Sequence, residues 1–318
     1  QEHAAVLLKD GAVVGAIEEE KLARIRHYGW PAPDDHLYGF ALEQSFPRRA
    51  ITVLLSREGL TLDDMDLIAI NGLPYRYGMS YARNPGAPMP VIRTGRLMFI
   101  PHHLSHAASA FRASGMKEGF VLTVDGRGER QTAAVFSARN GKLTQKYELL
   151  SLVRRSIGGV YESATRLLGF GSHGQGIVMA LASTGKPGPA FERFLSWKSA
   201  KKMSINEEFS SDLEVFRRSA ETSLKTQHRD LAASLQKSLE DTILNILDKF
   251  VPSRPEGLCI AGGVALNCRM NQLVRERFKP KQMFIQPAAN DAGTALGAAL
   301  EAHALTNPGA PDWTMTNA

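Results

Sequence analysis

The chain has 318 residues, 43% of them hydrophobic and 22% charged, which is enough to bury the cores of two lobes. Its net charge is +6, yet no Lys/Arg run is long or interleaved with aromatic residues, which argues against nucleic acid and leaves a small anion such as a nucleotide. No apolar stretch of about 18 residues and no signal sequence is present, so no membrane or export role is expected, and the two cysteines, Cys259 and Cys268, suit a reducing cytoplasm.

Residues His3 to Leu8 and Ala12 to Ile17 read as two strands joined by the turn Lys9-Asp10-Gly11. The charged run Glu18-Glu19-Glu20-Lys21-Leu22-Ala23-Arg24-Ile25-Arg26-His27 opens a short amphipathic helix. Residues 34–60 read as helix interrupted near Pro47, Asp66 to Asn71 as a short buried strand, and 72–98, with several Pro, Gly and Arg, as loop.

Pro101-His102-His103-Leu104-Ser105-His106 then heads a helical run of small apolar residues that passes Phe111 and stops at Gly115. In a helix His102 and His106 stand on one face, one turn apart, which is the spacing of a two-point metal clamp. It is equally the spacing of polar residues on the exposed side of a helix start, and a metal needs further ligands from elsewhere. His103 points about 100° away and is not a ligand candidate.

Gly119 to Val124 reads as an apolar strand, Asp125-Gly126-Arg127-Gly128-Glu129 as a tight turn, and Gln131 to Ala138 as a returning strand. Asn140-Gly141 is a hairpin turn into Leu143–Leu150. This pattern echoes the opening hairpin, as a duplicated core would. Helices are expected over 158–169, part of 188–200, and 227–251. Two strand-to-helix units close the chain. Leu258-Cys259-Ile260-Ala261 runs through Gly262-Gly263 into a helix from about Ala265 to Phe278, and Met283-Phe284-Ile285 runs through Asn290-Asp291 into a helix over 294–304. In such units the loop after the strand faces ligand and the helix N-terminus offers N–H groups to an anion. The chain therefore reads as one α/β protein of two related lobes around a cleft.

Four segments point at that cleft: the histidine pair, the Asp125–Glu129 turn, Gly262–Asn267 and Asn290-Asp291-Ala292-Gly293. Together with Leu7-Leu8-Lys9-Asp10-Gly11, Glu18–Arg24 and Gln286–Gly297 they resemble the NodU/CmcH carbamoyltransferases of antibiotic and nodulation-factor biosynthesis. The resemblance covers the N-terminal domain of that family, which is similar to the tRNA threonylcarbamoyl-transferring enzymes.

The resemblance implies the actin-like/sugar-kinase ATPase fold, two ribonuclease-H-like lobes around a nucleotide and metal cleft. The lobes would span 1–110 and 111–318, with a helical insertion at about 185–250 and the last helix packed back on the first lobe. It implies that His102, His106, Asp125 and Asp291 hold a divalent metal, iron first and zinc or manganese as alternatives. The cofactor residues for ATP or carbamoyl-adenylate would be Gly126, Gly128, Glu129, Gly262, Gly263, Asn267 and Asn290. Asp125 and His3 would be catalytic.

Three departures bear on activity. The family continues into a YrdC-like domain that makes carbamoyl-adenylate, whereas the given sequence runs 27 residues past Asp291, so a separate YrdC-like protein is the expected partner. Gln1 and Glu2 stand where the family has His-Asp, and Gln is no general base, so His3 is the candidate substitute. Gln175-Gly176-Ile177-Val178-Met179-Ala180-Leu181 replaces Glu-Gly-Lys-Val-Met-Gly-Leu, which removes a cation and a carboxylate. The expected activity is carbamoyl transfer to a small-molecule acceptor, by a cytoplasmic protein that could be a homodimer. The alternatives are a non-catalytic nucleotide-binding subunit and a metal site turned to iron chemistry.

Overall fold

The computed structural model describes residues 2–26, 46–73, 89–129, 131–150, 156–188, 195–199, 202–205 and 216–316. Gln1, the expected helix over 34–45, and parts of 72–98 and 185–225 lie outside the described residues.

Strands β1 (Ala4–Lys9) and β2 (Ala12–Glu18) pair antiparallel as expected, with a register shift at Leu7/Leu8. Helix α1 (Glu19–Ala23) follows directly. Helix α2 (Arg48–Glu58) begins after Pro47, whose N-cap position supplies no side-chain acceptor. The buried Glu19 carboxylate fills that role by accepting the N–H groups of Arg49 and Ala50, at 3.2 and 2.9 Å. Leu54 and Leu55 of α2 pack on Leu7 of β1.

Strand β3 (Ile68–Asn71) lies parallel to β5 (Leu97–Ile100), and β4 (Ile92–Thr94) pairs antiparallel with β5 on its other side. Two strands thus stand where 72–98 read as loop. The run Leu97-Met98-Phe99-Ile100 buries Met98 and Ile100 by period-2 alternation, and the Pro, Gly and Arg before it obscured that pattern. Helix α3 (His102–Phe111) begins one residue past β5.

A five-stranded sheet is built around Glu118–Gly128, with Gly257–Ala261 and then Gln282–Ile285 on one side, and Gln131–Arg139 and then Lys142–Leu150 on the other. Strands β6 (Glu118–Gly128), β7 (Gln131–Arg139) and β8 (Lys142–Leu150) form an antiparallel meander. The segment expected as a tight turn from Asp125 is instead the end of β6, with a register shift between Val124 and Gly128 and positive φ only at Glu129. Helices α4 (Ile157–Leu167) and α5 (Gln175–Ala182) follow. The expected helix within 188–200 is replaced by β9 (Leu195–Ser199) paired with β10 (Lys202–Ile205). The alternating sequence Leu-Ser-Trp-Lys-Ser is the strand signal there.

Helix α6 (Thr226–Phe250) leads to β11 (Gly257–Ala261), parallel to β6. The expected helix from Ala265 is split into a 3-10 turn (Gly263–Leu266) and α7 (Cys268–Phe278). The break falls at Asn267, whose side chain accepts the Met270 N–H at 3.0 Å and so starts a new helix. Strand β12 (Gln282–Ile285) and helix α8 (Gly293–Thr306) complete the fold. No helix among the described residues is long and apolar enough to cross a membrane.

Alternation along the strands sets the two faces of this sheet. Leu122, Val124, Leu258 and Ile260 join Ile243, Ile246, Leu247 and Val274 of α6 and α7 on one face. Val121, Cys259 and Ala261 meet Ala107, Ala110 and Phe111 of α3 on the other. Period 2 therefore turns Thr123 and Asp125 toward α3. Helix α8 packs against α3, β1 and β3, with Ala298 and Ala302 on Met98 and Ile100. Buried Arg112, at the end of α3, joins Glu301 of α8 (2.7 Å), Asp312 (2.8 Å) and the Gly141 carbonyl (3.1 Å).

Candidate metal centre

Four side chains meet where β6, α3 and the start of α8 converge. His102 and His106 come from successive turns of α3, Asp125 from the end of β6, and Asp291 from the turn before α8. One ligand atom of each lies within 4.8 Å of the others. His102 Nε2 is 3.0 Å from Asp125 Oδ2, 3.4 Å from Asp291 Oδ1 and 3.1 Å from His106 Nε2. His106 Nε2 is 3.8 Å from Asp125 Oδ2 and 3.6 Å from Asp291 Oδ1.

These atoms fit a divalent ion. Ligands about 2.1 Å from a metal and about 90–110° apart are separated by about 3.0–3.4 Å, close to the spacing seen. Asp291 Oδ1 is buried and accepts no hydrogen bond, although two imidazole nitrogens face it. The two Nε2 atoms also face each other, an arrangement that needs a proton or a cation between them. The donor set of two imidazoles and two carboxylates suits iron, zinc or manganese.

The electrostatics agree with a site that gathers positive charge. Burial disfavours a charged His102, but its hydrogen bond to Asp125 and the charges of Asp291 and Glu129 push it up to about 9. Burial also works against a charged Asp125, and His102 and His106 outweigh it, holding the carboxyl well below the usual range. His103 is pushed down to about 3 by burial and by the neighbouring histidines. Its Nδ1 lies 2.8 Å from Thr123 Oγ1, so it is a neutral core residue that packs α3 on β6.

A pH dependence follows for the metal-free protein. His102 titrates higher folded than its ordinary 6.5, so the stability it contributes is complete below 6.5 and is lost as pH rises through about 9. His103 titrates lower folded, so stability is also lost as pH falls below 6.5 toward about 3. Urea unfolding of chelator-treated protein should show greatest stability near pH 6.5, falling by up to about 3 kcal/mol toward pH 9. His102→Gln should flatten the alkaline limb, and an unchanged limb would refute the assignment.

The remaining expected site residues divide into two groups. Several are committed to protein contacts. Glu129 accepts the N–H groups of His102 (3.1 and 3.2 Å) and Leu73 (3.0 Å), and so caps α3, whose N-cap Pro101 has no side-chain acceptor. A side chain at Gly128 would overlap the His102 ring. Gly262, at φ +93°, lies so close to the Val124 carbonyl that any Cβ would overlap it. Close approach of protein to protein therefore accounts for both glycines. Asn267 exchanges amide hydrogen bonds with Gln236, at 2.8 and 3.0 Å, and Gln236 also accepts the Tyr161 hydroxyl at 3.0 Å.

The second group retains room or free valence. Nothing lies within 4 Å of where a Gly126 Cβ would stand. Gly263 instead belongs with the committed residues, donating its N–H to Asp125 Oδ1 at 3.1 Å. Asn290 Oδ1 is buried without a partner. His3 is half-buried ahead of β1, with Nδ1 lacking a hydrogen bond and its basicity lowered first by burial. Ile177 is 54% exposed on α5 and offers no cation there.

Sequence reasoning missed two residues, one that touches the tetrad and one that ties a neighbouring strand to α3. Asn71, at the end of β3, places Nδ2 3.4 Å from His102 Nδ1. Gln286, after β12, donates from Nε2 to the Ser109 carbonyl and ties that strand exit to α3. A lone amide closing an apolar strand was the one available signal for each.

Comparison with known proteins bears on the whole chain. Residues 85–300 match the family described as "Carbamoyltransferase N-terminus", a span that contains all four tetrad residues. Nodulation protein NolNO of Sinorhizobium fredii (strain NBRC 101917 / NGR234) is 32% identical over 329 aligned residues, covering 93% of this chain and 45% of the relative. Uncharacterized protein sll1178 of Synechocystis is 30% identical, over 93% of this chain and 54% of its own length. The chain thus spans about half the length of these relatives. Among solved structures, HypF of T. kodakarensis superposes with a TM-score of 0.51 at 15% identity, over 83% of this chain and 43% of that one. A full-length HypF in a phosphate- and nucleotide-bound form gives 0.50 at 14% identity, over 84% and 51%. At these identities the likeness shows the fold alone, the actin-like ATPase fold.

Proposed function

Because the chain belongs to the carbamoyltransferase N-terminus family, we propose that it binds metal and nucleotide in an enzyme that carbamoylates a small-molecule acceptor. The carbamoyl group would come from carbamoyl-adenylate, or from carbamoyl phosphate and ATP. The observation that carries this reading is the convergence of His102, His106, Asp125 and Asp291 on one point between strand and helix ends.

A bound divalent ion, held by these four residues, would supply Lewis-acid polarisation of donor oxygens. The protein's own groups define the rest. The net positive chain attracts the anionic donor. The open space over Gly126 and the unpartnered Asn290 Oδ1 supply the first places for a nucleotide. Gly128, Glu129, Gly262, Gly263 and Asn267 hold the surrounding turns in place, and Gly263 fixes Asp125 through its N–H. His3, kept neutral by burial, is the base for the acceptor hydroxyl. In the transfer, the hydroxyl oxygen bonds to the carbamoyl carbon and the bond from that carbon to the adenylate phosphate oxygen breaks. AMP leaves, and the hydroxyl proton passes to His3.

Calorimetric titration with ATP, with and without Mn2+, tests the reading. Saturable binding that strengthens with the metal is expected, followed by transfer of a labelled carbamoyl group from carbamoyl-adenylate to acceptor. ATP binding that is absent or indifferent to metal would overturn it.

A further inference from the structure

Asn71 closes β3 opposite Ile100 of β5, in register two residues before His102. The Gly72 N–H donates to the Ile100 carbonyl at 2.7 Å, which pins the strand end beside the first turn of α3. From there the Asn71 carboxamide reaches the His102 ring, with Nδ2 3.4 Å from Nδ1, while its Oδ1 is buried and meets no partner. The opposite side of the ring faces the tetrad, with Nε2 3.0 Å from Asp125 Oδ2.

An imidazole that gives its Nε2 lone pair to a metal carries its proton on Nδ1, and that N–H seeks an acceptor. A carboxamide presents a donor at one end and an acceptor at the other, and a half-turn exchanges them without changing its shape. With Nδ2 toward a protonated Nδ1, two donors confront each other and Oδ1 stays buried and unmet. With Oδ1 toward it, both are satisfied.

We propose that Asn71 is a positioning residue of the metal centre, whose Oδ1 accepts the His102 Nδ1–H and so commits Nε2 to the ion. The inference rests on the metal reading above. Ring and backbone of His102 are then held by separate residues, since Glu129 takes the backbone N–H. His106 has no such partner, because its Nδ1 is buried without a hydrogen bond. Asn71 therefore acts on one of the two imidazoles only.

Zinc titration of the full chain against a competing chelator tests this, using wild type, Asn71→Leu and Asn71→Asp. Asn71→Leu should bind zinc about 10–100-fold more weakly, whereas Asn71→Asp, which keeps an acceptor, should stay within about threefold of wild type. Nitrogen-15 spectra of histidine-labelled, zinc-loaded wild type should show His102 with a hydrogen-bonded proton on Nδ1, a readout that needs no variant to fold. Undiminished binding by Asn71→Leu, equal losses in both variants, or zinc ligation through Nδ1 would overturn the inference. Failure of wild type to bind zinc would overturn the metal reading itself, and this inference with it.

Discussion

Replacing both His102 and His106 with alanine should abolish stoichiometric metal binding, lowering divalent-ion affinity by well over about 100-fold. Removing a group that merely orients a ligand already costs about 10–100-fold, and this variant removes two ligands outright. Asp125 and Asp291 would remain, but two carboxylates alone make a weak site for borderline metals such as iron and zinc. Elemental analysis of the purified variant, with zinc or manganese titration, measures the effect. Stability should fall as well. Among the described residues, the buried Asp125 carboxylate would keep only the Gly263 N–H as a hydrogen-bond donor, and stripping one member from a buried pair costs about 3–5 kcal/mol. The paired change His102→Gln and His106→Gln keeps polar groups beside Asp125, so it should lose metal with less loss of stability. Full metal occupancy in either double variant would refute the assignment of the tetrad.

Gly297→Ala should be strongly destabilising, because among the described glycines this one has the closest neighbour in the way of a Cβ. Gly297 sits on the first turns of α8 where that helix crosses α3, and a Cβ there would overlap the Ser105 carbonyl oxygen. The neighbour is backbone within a helix that carries both histidines, so it cannot turn aside as a flexible side chain would. The helices must separate, at a cost of about 3 kcal/mol, and the melting temperature should drop by roughly 5–10 °C. Separation also moves Asp291, six residues earlier, away from His102 and His106. Calorimetry and zinc titration of the same variant should therefore report lower stability and weaker metal binding together. A stable variant with normal metal affinity would show that the α3–α8 contact does not set the site.

Much of the architecture is legible without coordinates where its cause is local. The hairpins β1-β2 and β7-β8 follow from turn residues between alternating runs, and α6 from its amphipathic period. The elements misread share a different cause. β5 is a four-residue apolar run behind Pro, Gly and Arg, and β9 is a five-residue alternating run inside a stretch expected as helix. The end of β6 reads as a turn because of its glycines, but after an irregularity between Val124 and Gly128 the strand pairs once more, Gly128 with Gln131, and φ turns positive only at Glu129.

The same division separates the parts of the site. The sequence by itself determined that His102 and His106 share one helix face, because a helix fixes i, i+4 geometry from within one segment. Asp125 and Asp291 entered through the family resemblance that the surrounding motifs carry. Only the tertiary structure decided that those carboxylates lie within reach of the clamp, and on which face Asp125 emerges. Only the tertiary structure shows that Glu129, Gly128 and Gly262 serve the protein's own packing, and that Asn71 stands behind His102. The reason is physical. Spacing along a helix or strand is set by bonds between near neighbours, whereas the approach of β3, β6 and α8 to α3 is set by packing between segments remote in sequence, which no single stretch of residues encodes.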